Sequence, residues 1–167
     1  RFHELTRRDA VDRVLAGLRV AARVFPGRVK VNAVAMPGVT EAELPAFLEL
    51  AHEHDLMVRF IEFMPLDADA SWDRDTLLSG AHLLERVRAL TELEPQPCSG
   101  PSSPAVEYRL RGGRGGVGFI NSVSQPFCES CDRIRLTADG RRVDMQDASL
   151  HLFGVAENAV DVSGVDG

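Results

Sequence analysis

Two hydrophobic periods alternate along the first half of the chain. Residues 9–24 place Ala10, Val11, Val14, Leu15, Leu18, Ala21 and Val24 at helical spacing, which predicts an amphipathic helix ended by Pro26-Gly27. Val29 to Val34 then alternates, with Lys30 and Asn32 on one side of a predicted strand. Pro37-Gly38 makes a turn, and Thr40 and Glu43 read as a T-x-x-E capping box opening a second helix. The apolar stripe of that helix is Leu44, Phe47, Leu48 and Ala51. Met57 to Phe63 predicts another strand, stopped at Pro65; a polar loop over 67–74 and a third helix over 75–89 follow. Alternating helices and strands are the repeating unit of an α/β sheet or barrel. Ligands in such folds sit at the carboxy-terminal ends of the strands, which here means Phe63-Met64-Pro65.

Beyond residue 94 the pattern changes. Residues 95–105 are rich in Pro and Ser and read as a linker. Val106–Leu110, Val117–Ser122 and Ile134–Thr137 then predict short strands separated by glycine turns. This divides the chain into an α/β region over 1–94, the linker over 95–105 and a small β-rich extension over 106–167. No internal repeat is visible.

Composition narrows the function classes. A chain of 167 residues with 44% apolar content is long enough to bury a core, and no apolar run reaches the length of a membrane helix. A net charge of −6 argues against nucleic-acid or membrane partners. The charge is uneven, however: Arg109, Arg111, Arg114, Arg133, Arg135, Arg141 and Arg142 crowd into 108–142, a cationic stretch suited to a small anion such as phosphate. The opening Arg1-Phe2-His3-Glu4 lacks a Met and any signal-peptide character, so the chain reads as cut from a longer cytoplasmic polypeptide. Three cysteines, with one C-x-x-C pair, do not form a secreted disulfide framework.

That pair, Cys128-Glu129-Ser130-Cys131, carries the sharpest chemistry. Two thiolates at this spacing can grip one metal ion or two corners of an iron–sulfur cluster; two incidental thiols and a redox pair are the alternatives. A thioredoxin-type redox pair opens a helix, whereas Pro126 precedes this one and the strand-like Ile134 to Thr137 follows. Arg133 and Arg135 alternate with Ile134 and Leu136, so they project to one side of that strand, as anion forks or as a solvated face. Gly112 to Gly118 lacks the GK[ST] ending of a phosphate loop and reads as a turn between strands. Lys30 either faces solvent or, with Asn32, lines a polar lumen; Met64 reads as core or as a ligand contact.

Four blocks in order carry a family resemblance. They are Val29 to Asn32, Arg59 to Leu66, Gly118 to Ile120, and Pro126 to Gly140. Over about residues 1–140 the chain resembles the carboxy-terminal half of the GTP 3′,8-cyclase family, radical S-adenosylmethionine enzymes of molybdenum-cofactor synthesis. The resemblance implies a partial (βα) TIM-type barrel, the second half of a radical S-adenosylmethionine barrel, followed by an extension holding a second 4Fe-4S cluster. It further implies GTP as the substrate that is rearranged to a cyclic pyranopterin precursor. Lys30, Arg133 and Arg135 are implied to contact GTP, Met64 to lie beside S-adenosylmethionine, and Cys128 and Cys131 to ligate the second cluster.

The sequence also departs from that family's pattern. No C-x-x-x-C-x-x-C motif lies in these residues, so S-adenosylmethionine and a first 4Fe-4S cluster are expected only in an intact enzyme, and the chain alone is expected to be inactive. By spacing, the third cysteine of the second cluster falls at Met145; by local similarity of His151-Leu152-Phe153-Gly154, it falls at His151, the better candidate ligand, with Cys98 a weaker one. A different class of reading is a non-catalytic remnant or small module holding zinc or no metal. Half a barrel leaves sheet edges unpaired, which calls for a missing amino-terminal half, a companion chain or a homodimer.

Overall fold

The structure is a computed structural model that describes residues 2–64, 77–97, 100, 103–127, 134–136, 140 and 142–144. It divides into two compact units, Arg1–Gln125 and Pro126–Gly167.

In the first unit the elements run α1 (Phe2–Thr6), α2 (Val11–Val24), β1 (Lys30–Ala35), α3 (Thr40–His54), β2 (Met57–Glu62), α4 (Gly80–Leu90), β3 (Leu93–Pro95), β4 (Val106–Leu110) and β5 (Gly116–Ile120). The strands form one five-stranded sheet in the order β1-β2-β5-β4-β3. β1, β2 and β5 are parallel, and β4 and β3 are added antiparallel. The sheet is mixed α/β and is not a closed barrel.

The expected helices and strands form, with shifted ends. β3 and the short α1 escaped the periodic reading because three and five residues are too few to show a period. Residues 106–120 belong to the first unit, which runs to Gln125. The reason is backbone pairing: β5 bonds to β2 on one side and β4 on the other, so 106–120 completes the first sheet. The expected capping box is replaced as well. Val39 stands at the helix cap without a side-chain bond, Thr40 Oγ1 accepts from Met36 N at 2.8 Å, and Glu41 takes Gly38 N at 3.0 Å.

Side-chain alternation separates the two faces of the sheet. Val58, Phe60, Val117, Phe119 and Leu110 point to the side covered by α3 and α4, where Leu44, Ala51, Leu83 and Val87 complete the core. Aromatic rings continue across it: Phe47 meets Phe60 edge-on at 5.4 Å, and Phe119 lies between Phe60 and Tyr108. Arg88 sits over the Tyr108 ring. The predicted stripe of α3 is the one buried. The stripe of α2 is not: only Leu18 packs on the core, and Val14 and Val24 are 55% and 61% exposed.

Among the described residues no helix is long and apolar enough to cross a membrane. In the second unit, β6 (Ile134–Leu136) and β7 (Arg142–Asp144) form an antiparallel pair with Arg135 opposite Val143.

Candidate functional site

The face away from α3 and α4 carries the polar residues. Cross-strand register sets Asn32, Arg59, Gly118 and Glu107 in one row across β1, β2, β5 and β4, with Lys30 two residues before Asn32. Glu107 Oε1 accepts from Lys30 Nζ at 3.0 Å and from Arg59 Nε at 2.8 Å, and Arg59 Nη2 reaches the same oxygen. The side chains of Arg59 and Glu107 are 17% and 12% exposed, and Lys30 is 40% exposed, so the pair is shielded while the lysine tip meets solvent. Burial raises the Glu107 pKa, but the hydrogen bonds and charges of Arg59 and Lys30 outweigh it and hold the carboxyl below its ordinary value.

Gly118 makes this reach across β5 feasible. A Cβ there would lie 3.2 Å from Arg59 Cγ and 3.3 Å from Glu107 Cγ. The expectation that Lys30 and Asn32 share a face therefore holds, and Lys30 has a carboxylate partner on it. Sequence reading assigned no role to Arg59 or Glu107. Their signal was alternation: Arg59 is the polar residue between Val58 and Phe60, and Glu107 that between Val106 and Tyr108.

A second carboxylate works on the opposite face. Glu62, 2% exposed, ends β2 and accepts from Gly80 N (3.0 Å), Val123 N (2.8 Å), Ser124 N (2.7 Å) and Ser124 Oγ (2.6 Å). It ties the start of α4 and the turn after β5 to the strand that leads into Met64. Met64 itself is half-buried just beyond β2.

The cationic stretch does not act as one patch where it is described. Arg109 lies 3.6 Å from Asp55, Arg111 bonds Glu92 at 3.1 Å, and Arg114 donates to Glu53 O at 2.8 Å, each serving the fold. Cys98, Cys128, Cys131, Arg133, Met145 and His151 lie outside the described residues, as does the side chain of Arg135, whose backbone is in β6. Among the described residues no group of three metal-ligating side chains comes together.

Comparison with known proteins settles the family. A family model described as Molybdenum Cofactor Synthesis C matches residues 56–144, just over half of the chain. The chain belongs to that family. Arg59, Glu62, Glu107 and Gly118, like Cys128 and Cys131, lie within the span that matches the Molybdenum Cofactor Synthesis C model. Relatives agree. The chain is 45% identical over 141 residues to a GTP 3′,8-cyclase of Streptomyces coelicolor, covering 84% of this chain and 41% of that protein. It is 41% identical over 142 residues to a GTP 3′,8-cyclase of Rhodopirellula baltica, covering 83% and 40%. A GTP 3′,8-cyclase of Rhodococcus opacus is 42% identical over 162 residues, 96% of this chain and 46% of that protein. The chain thus spans less than half the length of these relatives.

Proposed function

We propose that this chain is the carboxy-terminal, substrate-binding part of a cytoplasmic GTP 3′,8-cyclase, the enzyme that converts GTP to the cyclic pyranopterin precursor of molybdopterin. The observation that carries the proposal is the cationic pair on the sheet face away from α3 and α4: Lys30 and Arg59 gathered on one oxygen of Glu107. Among the described residues, these two cations against one carboxylate leave a net positive charge of one, and both keep N–H donors to spend on phosphate oxygens. Arg133 and Arg135 are assigned to GTP as well, and Met64, beyond the end of a parallel strand, to S-adenosylmethionine.

Cys128 and Cys131 supply two thiolates for a 4Fe-4S cluster, and His151 is proposed as the third ligand. Such a cluster, with one iron left without a protein ligand, would supply a Lewis-acidic site for the guanine. The parallel trio β1, β2 and β5 is proposed as part of a TIM-type barrel. The edge of β1, unpaired among the described residues, and the exposed apolar residues of α2 support it, because a further strand and helix from a missing amino-terminal half or a companion chain would cover both. The chain alone is proposed to bind GTP without turning it over, since no C-x-x-x-C-x-x-C motif lies within it.

The test is anaerobic reconstitution followed by iron counting and GTP titration. Iron uptake with a visible-region cluster band, together with GTP binding that Lys30→Ala weakens by about tenfold, is the expected result. A folded chain that takes up neither iron nor GTP would defeat the proposal. Zinc without a cluster band would favour the alternative, a non-catalytic metal-binding module, which the single C-x-x-C pair also fits.

A further inference from the structure

We infer that Glu107 is a positioning residue for anion binding, presenting Lys30 and Arg59 as one seat for a phosphate-bearing ligand. This rests on the assignment of those two cations to phosphate made above.

Neighbouring strands lie about 4.8 Å apart, so the backbones of β4 and β1 at this row are separated by roughly 14 Å. No lysine or arginine on β1 or β2 is held in place across that span by its own backbone. Both side chains are long and flexible, and each loses rotamer freedom when fixed. Glu107 meets them midway through the gap at Gly118 and fixes both with a single atom, Oε1. Its grip on Arg59 is through the Nε and Nη2 edge, so of the five guanidinium N–H groups those on Nη1 are outside it. Lys30 gives one of its three N–H donors to the same oxygen. Among the described residues, the arrangement is a carboxylate holding two cations by one edge each, with their other N–H groups left for a ligand.

A purely structural ion pair, or a carboxylate that merely lowers the local potential, predicts something different. A negative charge beside an anion seat repels the anion through space. If charge alone mattered, removing it would tighten binding. If Glu107 positions the cations, removing it loosens binding although the protein becomes more positive. The two accounts differ in sign.

The experiment titrates the chain with inorganic tripolyphosphate by calorimetry at fixed ionic strength. The variants are Lys30→Ala, Arg59→Ala, Glu107→Gln, Glu107→Asp and Gly118→Ala. Circular dichroism confirms folding, and any variant that fails to fold is set aside in favour of the remaining ones. Lys30→Ala and Arg59→Ala are expected to weaken binding by about tenfold each, the loss of one charge-assisted contact. Glu107→Gln is expected to weaken it by a similar factor. Glu107→Asp, a methylene shorter, and Gly118→Ala, whose Cβ crowds both partners, leave every charge unchanged and are expected to weaken it several-fold. Wild-type binding that Glu107→Gln tightens or leaves unchanged, or that both charge-conserving variants leave unchanged, would overturn the inference. Binding by wild type no tighter than by Lys30→Ala and Arg59→Ala would instead overturn the phosphate assignment, and the inference with it.

Discussion

A buried carboxylate needs donors for its lone pairs, and Glu62 finds them in three backbone N–H groups and a hydroxyl. The start of α4 also contributes the positive end of a helix dipole. Glu62→Gln would turn an amide NH2 toward one pair of those donors. It is expected to lower unfolding free energy by about 2–3 kcal/mol in urea titration, more than a surface Glu→Gln change. Glu107 answers to pH instead. Its carboxyl is held below the ordinary value of 4.5, so its contribution is complete above that pH and fades as pH falls from 4.5 through the folded-state value. Urea midpoints of wild type and Glu107→Gln should therefore differ at pH 6 and converge as pH falls below 4.5; a gap that stays constant would contradict the pairing.

Elements in this fold are held at their ends by small details of backbone chemistry. Ser79 caps α4 by accepting from His82 N at 3.2 Å, and Ser79→Ala should cost about 1 kcal/mol in the same assay. The turn between β4 and β5 depends on Gly115, whose φ is +70° and whose Cβ, if added, would run into Ala51 O. Gly115→Ala is expected to destabilise by about 2 kcal/mol or more, because left-handed strain adds to a backbone clash. The glycine-rich run thus has a packing explanation. Arg114 within it donates to the last turn of α3 at Glu53 O, a common place for a cation at a helix carboxy terminus.

At the scale of the whole molecule the sheet is asymmetric. β3 and β4 finish one side with an antiparallel pair, whereas β1, a parallel strand, ends the other. Exposed Val14, Val24 and Phe25 lie on α2 and just beyond it. A parallel edge left unpaired among the described residues, with apolar neighbours, invites association. Sedimentation velocity over a concentration series should show self-association of the isolated chain, with a broad melting transition. A monomer at all concentrations with a sharp, high melting transition would refute this expectation.

Sequence by itself determined the α/β character, the apolar stripe of α3, the pairing of Lys30 and Asn32 on one face, and the family blocks. Each of these depends on periods or motifs local to a few residues, which the chain displays before it folds. Tertiary structure decided the rest. Residues 106–120 join the first sheet because a strand's partners are chosen by backbone pairing across long sequence separations, and a Pro/Ser-rich stretch does not forbid a return. Arg109, Arg111 and Arg114 look like one cationic patch along the chain, yet folding hands each to a different acceptor. Glu107 lies 48 residues from Arg59 and 77 from Lys30, and only the register of four strands brings one oxygen within reach of both. Local pattern fixes which residues share a face; which of them touch is fixed by strand order.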